Sequence, residues 1–151
     1  MFSLFKRKPL LSQDENEKVV RAIQDAEKQT SGEIRVFIES KCKFIDPIDR
    51  AKELFAQLKM ENTEQRNAVI LYIAIKDRQL AIYADAGIHE KAGEEYWKSA
   101  VNKMISHFTR NDYVGGIGIC LHQIGEALKQ YFPFDGTTDK NELSDDIVFG
   151  K

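Results

Sequence analysis

The sequence predicts an α/β fold in which a mixed central sheet is covered by about four helices. One observation is a hairpin, made of the apolar run Ala68 to Ile75, the polar turn Lys76-Asp77-Arg78 and the apolar run Leu80 to Ala84. The other is an alternating segment, Glu33 to Ser40, which a helical stretch joins to the hairpin. Strand, helix and strand in this order form a right-handed parallel crossover, and the hairpin adds an antiparallel strand.

The first helix is predicted to begin at Ser12, because the Ser12 hydroxyl and the Glu15 side chain form a capping-box pattern. Its apolar residues recur at helical spacing, so that one face packs inward: Val19, Ile23 and Ala26. The next segment, Glu33 to Ser40, alternates between apolar and polar residues, which predicts a strand covered on one face only. In contrast, the run from Ala68 to Ile75 is apolar throughout, which predicts a strand buried on both faces.

A second helix is predicted to begin at Asp46-Pro47, because aspartate caps a helix and proline fits its first turn. Two more helices are predicted over Glu94 to Thr109 and Tyr113 to Phe132, where Pro133 stops the last one. Between the hairpin and these helices, Asp85-Ala86-Gly87 predicts a turn with a glycine hinge.

One domain is expected over residues 11–133, preceded by a flexible segment 1–10 and followed by an acidic, mobile tail 134–151. Within that tail, Ile147-Val148-Phe149 is a candidate for a short docked strand. The apolar start Met1 to Phe5 is too short for a signal peptide and precedes the basic trio Lys6-Arg7-Lys8 instead of following it. A frayed N-terminus is expected; the alternative is a membrane-surface tether made of Phe2, Leu4, Phe5 and the basic trio. No segment is long enough to be a transmembrane helix.

Charge and cysteine usage narrow the function classes. The 22 basic and 24 acidic residues give a net charge of -2, so no bulk field favours nucleic acid, and a partner protein has to be recognised locally. Cys42 and Cys120 lie far apart, without a CxxC motif or a Cys/His cluster. Two reduced thiols in a cytoplasmic protein are therefore expected, with a single disulfide as the alternative.

The predicted topology brings the strand starts at Glu33 and Asn67 and the strand end at Asp85 to one edge of the sheet. If the loop after the helix Glu94 to Thr109 returns to this edge, Asp112 converges with Asp85, and Glu90 lies nearby. Oxygen ligands of this kind suit Ca²⁺ or Mg²⁺. Without a metal, Asp112 is a helix cap, Asp85 a turn residue and Asn67 a hydrogen-bonding residue at a strand start. The general rule for parallel sheets places ligands at the opposite edge.

Three segments in order resemble the TPM domain family: SGEIRVFIE, QRNAVILYIAIKDRQLAIYADAGIHE and HFTRNDYVGGI. The similarity extends from about Leu10 to Tyr131, and its most specific parts are Asn67, Asp77-Arg78, Gly87 and Asn111-Asp112-Tyr113. The resemblance implies a divalent-cation-binding domain of mixed α/β fold, with phosphatase activity proposed for some members. Arg66 and Ala68 stand where the family often has an acidic residue and a glycine, so positive charge replaces negative beside Asn67. Many relatives also carry an export signal and a C-terminal membrane segment, and this chain is expected to be a cytoplasmic variant without them.

Two functions from different classes follow. The favoured one is a non-catalytic regulatory or interaction module that binds a divalent cation and recognises a protein partner. The alternative is a metal-dependent phosphatase acting on phosphomonoesters, in which a cation on Asp85 and Asp112 polarises phosphate and activates water. Glu90 or His89 is then the nearest proton donor. The candidates for a positive clamp on phosphate are Arg66, Lys91 and Arg110.

Overall fold

The computed structural model describes residues 10–134 and 146–150. In chain order this part contains α1 Gln13–Glu27, β1 Glu33–Glu39, α2 Pro47–Gln57, β2 Ala68–Ala74, β3 Gln79–Ala84, α3 Ala86–Ala92, α4 Glu94–Phe108, α5 Tyr113–Tyr131 and β4 Val148–Phe149. The predicted α/β class is confirmed, with one helix more than expected. The predictions for the first nine residues, including the membrane tether, and for the tail over 135–145 concern residues outside the described part.

The sheet has the strand order β3-β2-β1-β4 and is mixed, as predicted. β1 runs parallel to β2, with Glu33 opposite Ala68, and β3 runs antiparallel to β2. The short strand β4 lies parallel to β1 on its other side, which confirms that part of the C-terminal segment docks on the sheet.

Helices cover both faces of the sheet. On one face α1, α3, α4 and α5 pack over a large apolar cluster; on the other, α2 packs over a smaller one. The prediction that β1 is covered on one face only is wrong, because Glu33, Phe37 and Glu39 on its second face are buried as well, with Phe37 in the smaller apolar cluster. Every residue of β2 is buried, as its apolar run predicted. No helix in the described part of the chain has the length and apolar character that crossing a membrane requires.

The helix starts follow local sequence signals. The Ser12 amide donates to Glu15 Oε1 at 2.8 Å and the Glu15 amide to Ser12 Oγ at 3.1 Å, which confirms the capping box of α1. α2 begins as predicted, since Asp46 Oδ1 accepts from the Ile48 amide at 3.0 Å. Local hydrogen bonds of this kind need only a few consecutive residues, which is why the sequence reveals them.

The segment after β3 differs from the prediction of a glycine hinge. Asp85 caps α3 instead, with its Oδ1 accepting from the Ala86 amide at 2.8 Å. Gly87 lies inside this helix, where a Cβ would stand 2.2 Å from the Gln65 carbonyl oxygen. The glycine is therefore required for close packing. Among the glycines that the structure describes, the one with a positive φ is Gly93, with φ of 86° between α3 and α4.

Candidate functional site

Buried polar residues gather at the edge of the sheet where β1 and β2 begin and β3 ends. Glu33, Asn67 and Asp85 are each no more than 2% exposed. The Glu33 amide donates to the Asn67 carbonyl oxygen at 3.3 Å, and the Asp85 amide to that of Ala68 at 2.9 Å. These contacts confirm that the three predicted site residues share one edge. Because burying polar groups is costly, such a concentration is typical of a functional site.

Asp85 is paired with an arginine that reaches in from the surface. Arg66 Nε lies 2.6 Å from Asp85 Oδ2, and Arg66 Nη2 lies 2.7 Å from Oδ1. The Asp85 side chain is 3% exposed, whereas that of Arg66 is 53% exposed. The hydrogen bond and the charge of Asp85 raise the pKa of the Arg66 guanidinium. A buried carboxylate is thus neutralised by a largely hydrated side chain.

The backbone that carries Arg66 is in an unusual conformation. Arg66 has a φ of 52°, in the left-handed region that non-glycine residues rarely adopt. Directly against it packs Gly87, where a Cβ would lie 2.6 Å from the Arg66 carbonyl oxygen. Backbone strain of this kind persists where the surrounding structure holds it, and it clusters at binding and catalytic sites.

Asn67 has one polar atom without a protein partner. Its backbone amide donates to Thr63 Oγ1 and its side-chain nitrogen to Ser31 Oγ, each at 3.3 Å. Asn67 Oδ1, however, is buried and accepts no hydrogen bond. An unpaired buried acceptor costs about 1–3 kcal/mol. Amide oxygens are ordinary ligands of hard cations, so Asn67 Oδ1 is chemically suited to be one ligand of such a cation.

Glu33 completes the row of residues at this edge. It lies opposite Ala68 on β2, and Asp85 is hydrogen-bonded to the other side of the same residue. Two strand spacings separate Glu33 from Asp85, about 10 Å between their backbones. Ala68 between them carries only a methyl group. Glu33 and Asp85 therefore flank the same residue of β2.

Asp112 lies at the other end of the molecule, and the predicted convergence with Asp85 is wrong. The carbonyl oxygen of Phe132, at the C-terminal end of α5, accepts from the Ser31 amide at 3.0 Å and so lies near the Asn67 edge. Asp112 precedes the first residue of α5, whose 19 residues span about 28 Å. The uninterrupted helix α4 carries the chain away from Asp85, and its loop does not return.

At its actual position Asp112 has the predicted metal-free role, that of a helix cap. Its Oδ1 accepts from the Gly115 amide at 3.1 Å, and its Oδ2 lies 2.9 Å from His107 Nδ1. The hydrogen bond with His107 lowers the pKa of the Asp112 carboxyl, and that with Gly115 adds to the effect. Arg110, one of the predicted phosphate clamps, lies in the same turn and thus far from Asp85.

The remaining candidates project from α3. Glu90, His89 and Lys91 are exposed, one to two helical turns beyond Asp85. Within residues 10–134 and 146–150, no group of three or more His, Cys, Asp or Glu side chains is arranged to hold a metal ion. A cation at the Asp85 edge would therefore need amide, backbone or water oxygens besides carboxylates. The metal role of each predicted residue stays a prediction.

The opposite edge, where the general rule for parallel sheets places ligands, holds a saturated ion-pair cluster. Glu39 accepts from Arg50 Nε and Nη2, both at 3.0 Å, and from the Tyr72 hydroxyl. Burial and the bond to Glu39 raise the pKa of Tyr72. The Arg50 guanidinium also lies 5.6 Å from the centre of the Phe37 ring. With its carboxylate fully engaged by protein donors, this cluster has a structural role.

Sequence reasoning missed the partner of Asp85. The sequence marks Arg66 as a candidate phosphate clamp and as a positive residue beside Asn67, and no pattern marks the hydroxyls of Ser31 and Thr63. The one available signal is that Arg66 directly precedes Asn67, just before β2 begins. No local pattern links Arg66 to Asp85. The pairing arises between residues 19 positions apart.

The parallel crossover, the antiparallel hairpin and the polar edge define a mixed α/β domain with a candidate binding site at the strand starts. The chain belongs to the TPM domain family, whose sequence model matches residues 5–127. This confirms the resemblance to that family. Among curated proteins, no significant match to the sequence is found.

Two solved structures are similar to this chain. The NMR structure of the BA42 protein from the psychrophilic bacterium Bizionia argentinensis superposes with a TM-score of 0.86 at 37% identity, covering 97% of this chain and 99% of that one. The N-terminal domain of the cg2496 protein from Corynebacterium glutamicum has a TM-score of 0.62 at 17% identity, covering 79% and 74%. The second likeness shows the fold alone.

Proposed function

We propose that the edge formed by Glu33, Asn67 and Asp85 binds a divalent cation, Ca²⁺ or Mg²⁺, and that the domain is a non-catalytic regulatory or interaction module. The observation that carries the proposal is the buried, unpaired Oδ1 of Asn67, at the edge of the sheet that also holds the buried residues Glu33 and Asp85. A bound cation supplies a partner for this oxygen and carries the positive charge that Arg66 otherwise brings to Asp85.

Each residue has a distinct part in this proposal. Asp85 and Glu33 provide charge, and Asn67 provides a neutral oxygen that a hard cation accepts. Asp85 also caps α3, so that binding at this carboxylate acts on the start of a helix. A cation-dependent change at α3, whose outer residues are exposed, is the means by which a protein partner would sense the bound state.

The test is a titration with CaCl₂ and MgCl₂ followed by amide chemical shifts. We expect the perturbed amides to cluster around Glu33, Asn67 and Asp85. The variant Asp85→Asn should weaken binding by at least about tenfold, because it removes one ligand charge without changing shape. Asp112→Asn is the matched control and should bind like the wild type. Equal weakening by both variants, or no saturable binding, would refute the proposed site.

The phosphatase alternative has one supporting observation, the half-exposed side chain of Arg66. Arg66 would form a bidentate contact with phosphate if it turned away from Asp85. Hydrolysis of a chromogenic phosphomonoester with added Mg²⁺ or Ca²⁺ separates the two functions. Turnover that Asp85→Asn abolishes and Asp112→Asn retains would support the phosphatase. Binding of the cation without turnover would support the regulatory module, and turnover indifferent to both variants would identify a contaminating enzyme.

A further inference from the structure

We infer that Arg66 is a built-in competitor of the cation, whose guanidinium occupies Asp85 until the cation displaces it. The inference rests on the proposed cation site and assigns it an affinity-setting residue. Arg66 engages both oxygens of the carboxylate, at 2.6 and 2.7 Å, and the Ala86 amide also donates to Oδ1. The face of Asp85 toward Arg66 is fully used, so the fork and a cation exclude each other there.

The two partners differ greatly in what separation costs them. The Arg66 side chain is already 53% exposed and regains water when it moves out. The Asp85 side chain is 3% exposed, and a buried carboxylate without a counter-charge is strongly unfavourable. Asp85 therefore exchanges one positive partner for another. Breaking the contact between Arg66 and Asp85 costs free energy, and this cost lowers the net affinity for the cation.

The position of the arginine is held by the fold. The carbonyl groups of Gln65 and Arg66 pack against Gly87, with no room for a Cβ between them. This packing fixes the left-handed turn at Arg66, with φ of 52°, next to the start of α3. Only the Arg66 side chain has to move during exchange, and the backbone stays in place.

The experiment compares Arg66→Ala with Arg78→Ala, measuring calcium affinity by calorimetry and the melting temperature with and without CaCl₂. Arg78 is a matched control, because it is also exposed and has a φ of 53°, but it lies in the β2–β3 turn at the opposite edge. Both variants place alanine at nearly the same positive φ, so the cost of that strain is shared. They differ in whether a guanidinium is removed from Asp85.

We expect Arg66→Ala to bind calcium about tenfold tighter than the wild type, since a pair of charge-assisted hydrogen bonds no longer has to be broken. Without cation its melting temperature should fall, and calcium should raise it more than in the wild type. Arg78→Ala should match the wild type in affinity and in the calcium-dependent rise. Arg66→Lys, which keeps the charge but not the fork, should bind with intermediate affinity and covers the case that the alanine variant does not fold.

Each other outcome has a definite meaning. Equal affinities of the wild type, Arg66→Ala and Arg66→Lys, or weaker binding by the Arg66 variants, would overturn the competitor role while leaving the cation site intact. Tighter binding by Arg78→Ala to the same extent would also overturn it, since any lost positive charge would then suffice. Absence of saturable binding in every variant would overturn the proposed function and the inference together.

Discussion

Replacing Gly87 by alanine tests the packing on which the site depends. The added Cβ would lie 2.2 Å from the Gln65 carbonyl oxygen and 2.6 Å from that of Arg66. Real Cβ atoms essentially never approach closer than 3.0 Å, so the helix or the turn has to shift by at least 0.8 Å, the difference from 2.2 Å. Both obstacles are backbone atoms, and no rotamer change relieves them.

The magnitude follows from the cost of overpacking. Extra atoms in a well-packed interior cost about 1–3 kcal/mol, and the upper end applies because the clash is with backbone. For a domain of this size each kcal/mol corresponds to about 2–4 °C in melting temperature. Gly87→Ala should therefore lower the melting temperature by about 6–12 °C, given a loss of about 3 kcal/mol.

Gly118→Ala is the matched control, because Gly118 also lies inside a helix but a Cβ there would meet nothing within 4 Å. Alanine has the higher helix propensity, so this variant should gain up to about 1 kcal/mol, or about 2–4 °C. Both melting temperatures are measured by circular dichroism in the absence of divalent cations. An unchanged melting temperature for Gly87→Ala, or an equal loss in Gly118→Ala, would refute the packing argument.

Three further predictions concern other buried and charged groups. Tyr72→Phe removes a hydroxyl donor from the buried Glu39 carboxylate, and should cost about 1–3 kcal/mol in urea unfolding. The pKa of the Asp112 carboxyl lies below its ordinary value of 3.8. The charged carboxylate therefore stabilises the folded state at pH values above 3.8, and this contribution is lost as the pH falls through the lowered pKa. The stability difference between the wild type and Asp112→Asn should therefore be largest at neutral pH and disappear in acid. Burial raises the pKa of Cys120 to about 12, so a thiol reagent should react with the partly exposed Cys42 alone until the protein is unfolded.

Each of these has a control or a contradicting result. Tyr113→Phe, whose hydroxyl lies 3.2 Å from the exposed Asn111 side chain, should change the unfolding free energy much less than Tyr72→Phe. Equal losses of unfolding free energy in the two variants would mean that burial does not increase the contribution of the tyrosine hydrogen bond to stability. A pH-independent difference for the Asp112 variant would show that its charge does not act in folding. Two thiols titrating together in the native protein would contradict the burial of Cys120.

Elements with strong local patterns were predictable from the sequence. The short apolar run of β2 and the alternation of β1 are both typical of strands. The capping residues Ser12 and Asp46 bind neighbouring amides, so they too are visible in the sequence. In contrast, the sequence does not reveal α3, because its seven residues, AGIHEKA, are too few to show a helical period and include a glycine at the second position. The burial of the second face of β1 depends on tertiary packing around Phe37, which no periodicity in β1 reports.

The candidate site divides in the same way. Topology alone placed Glu33, Asn67 and Asp85 at one edge, since strand direction determines which ends meet. The convergence of Asp112 required the course of α4, and a single uninterrupted helix took it to the other end of the molecule. A pattern of apolar residues predicts that a helix packs on a sheet, but it does not predict where the chain leaves that helix.

The sequence by itself determined the order of the elements other than α3, the mixed sheet and the shared edge of three polar residues, because each follows from short-range periodicity and chain direction. Only the tertiary structure decided that Arg66 neutralises Asp85, that Asn67 Oδ1 is left without a protein partner, and that Asp112 caps a distant helix. Hydrogen-bond partners depend on distances of a few tenths of an ångström between separate segments. Those distances are set when the helices pack against the sheet.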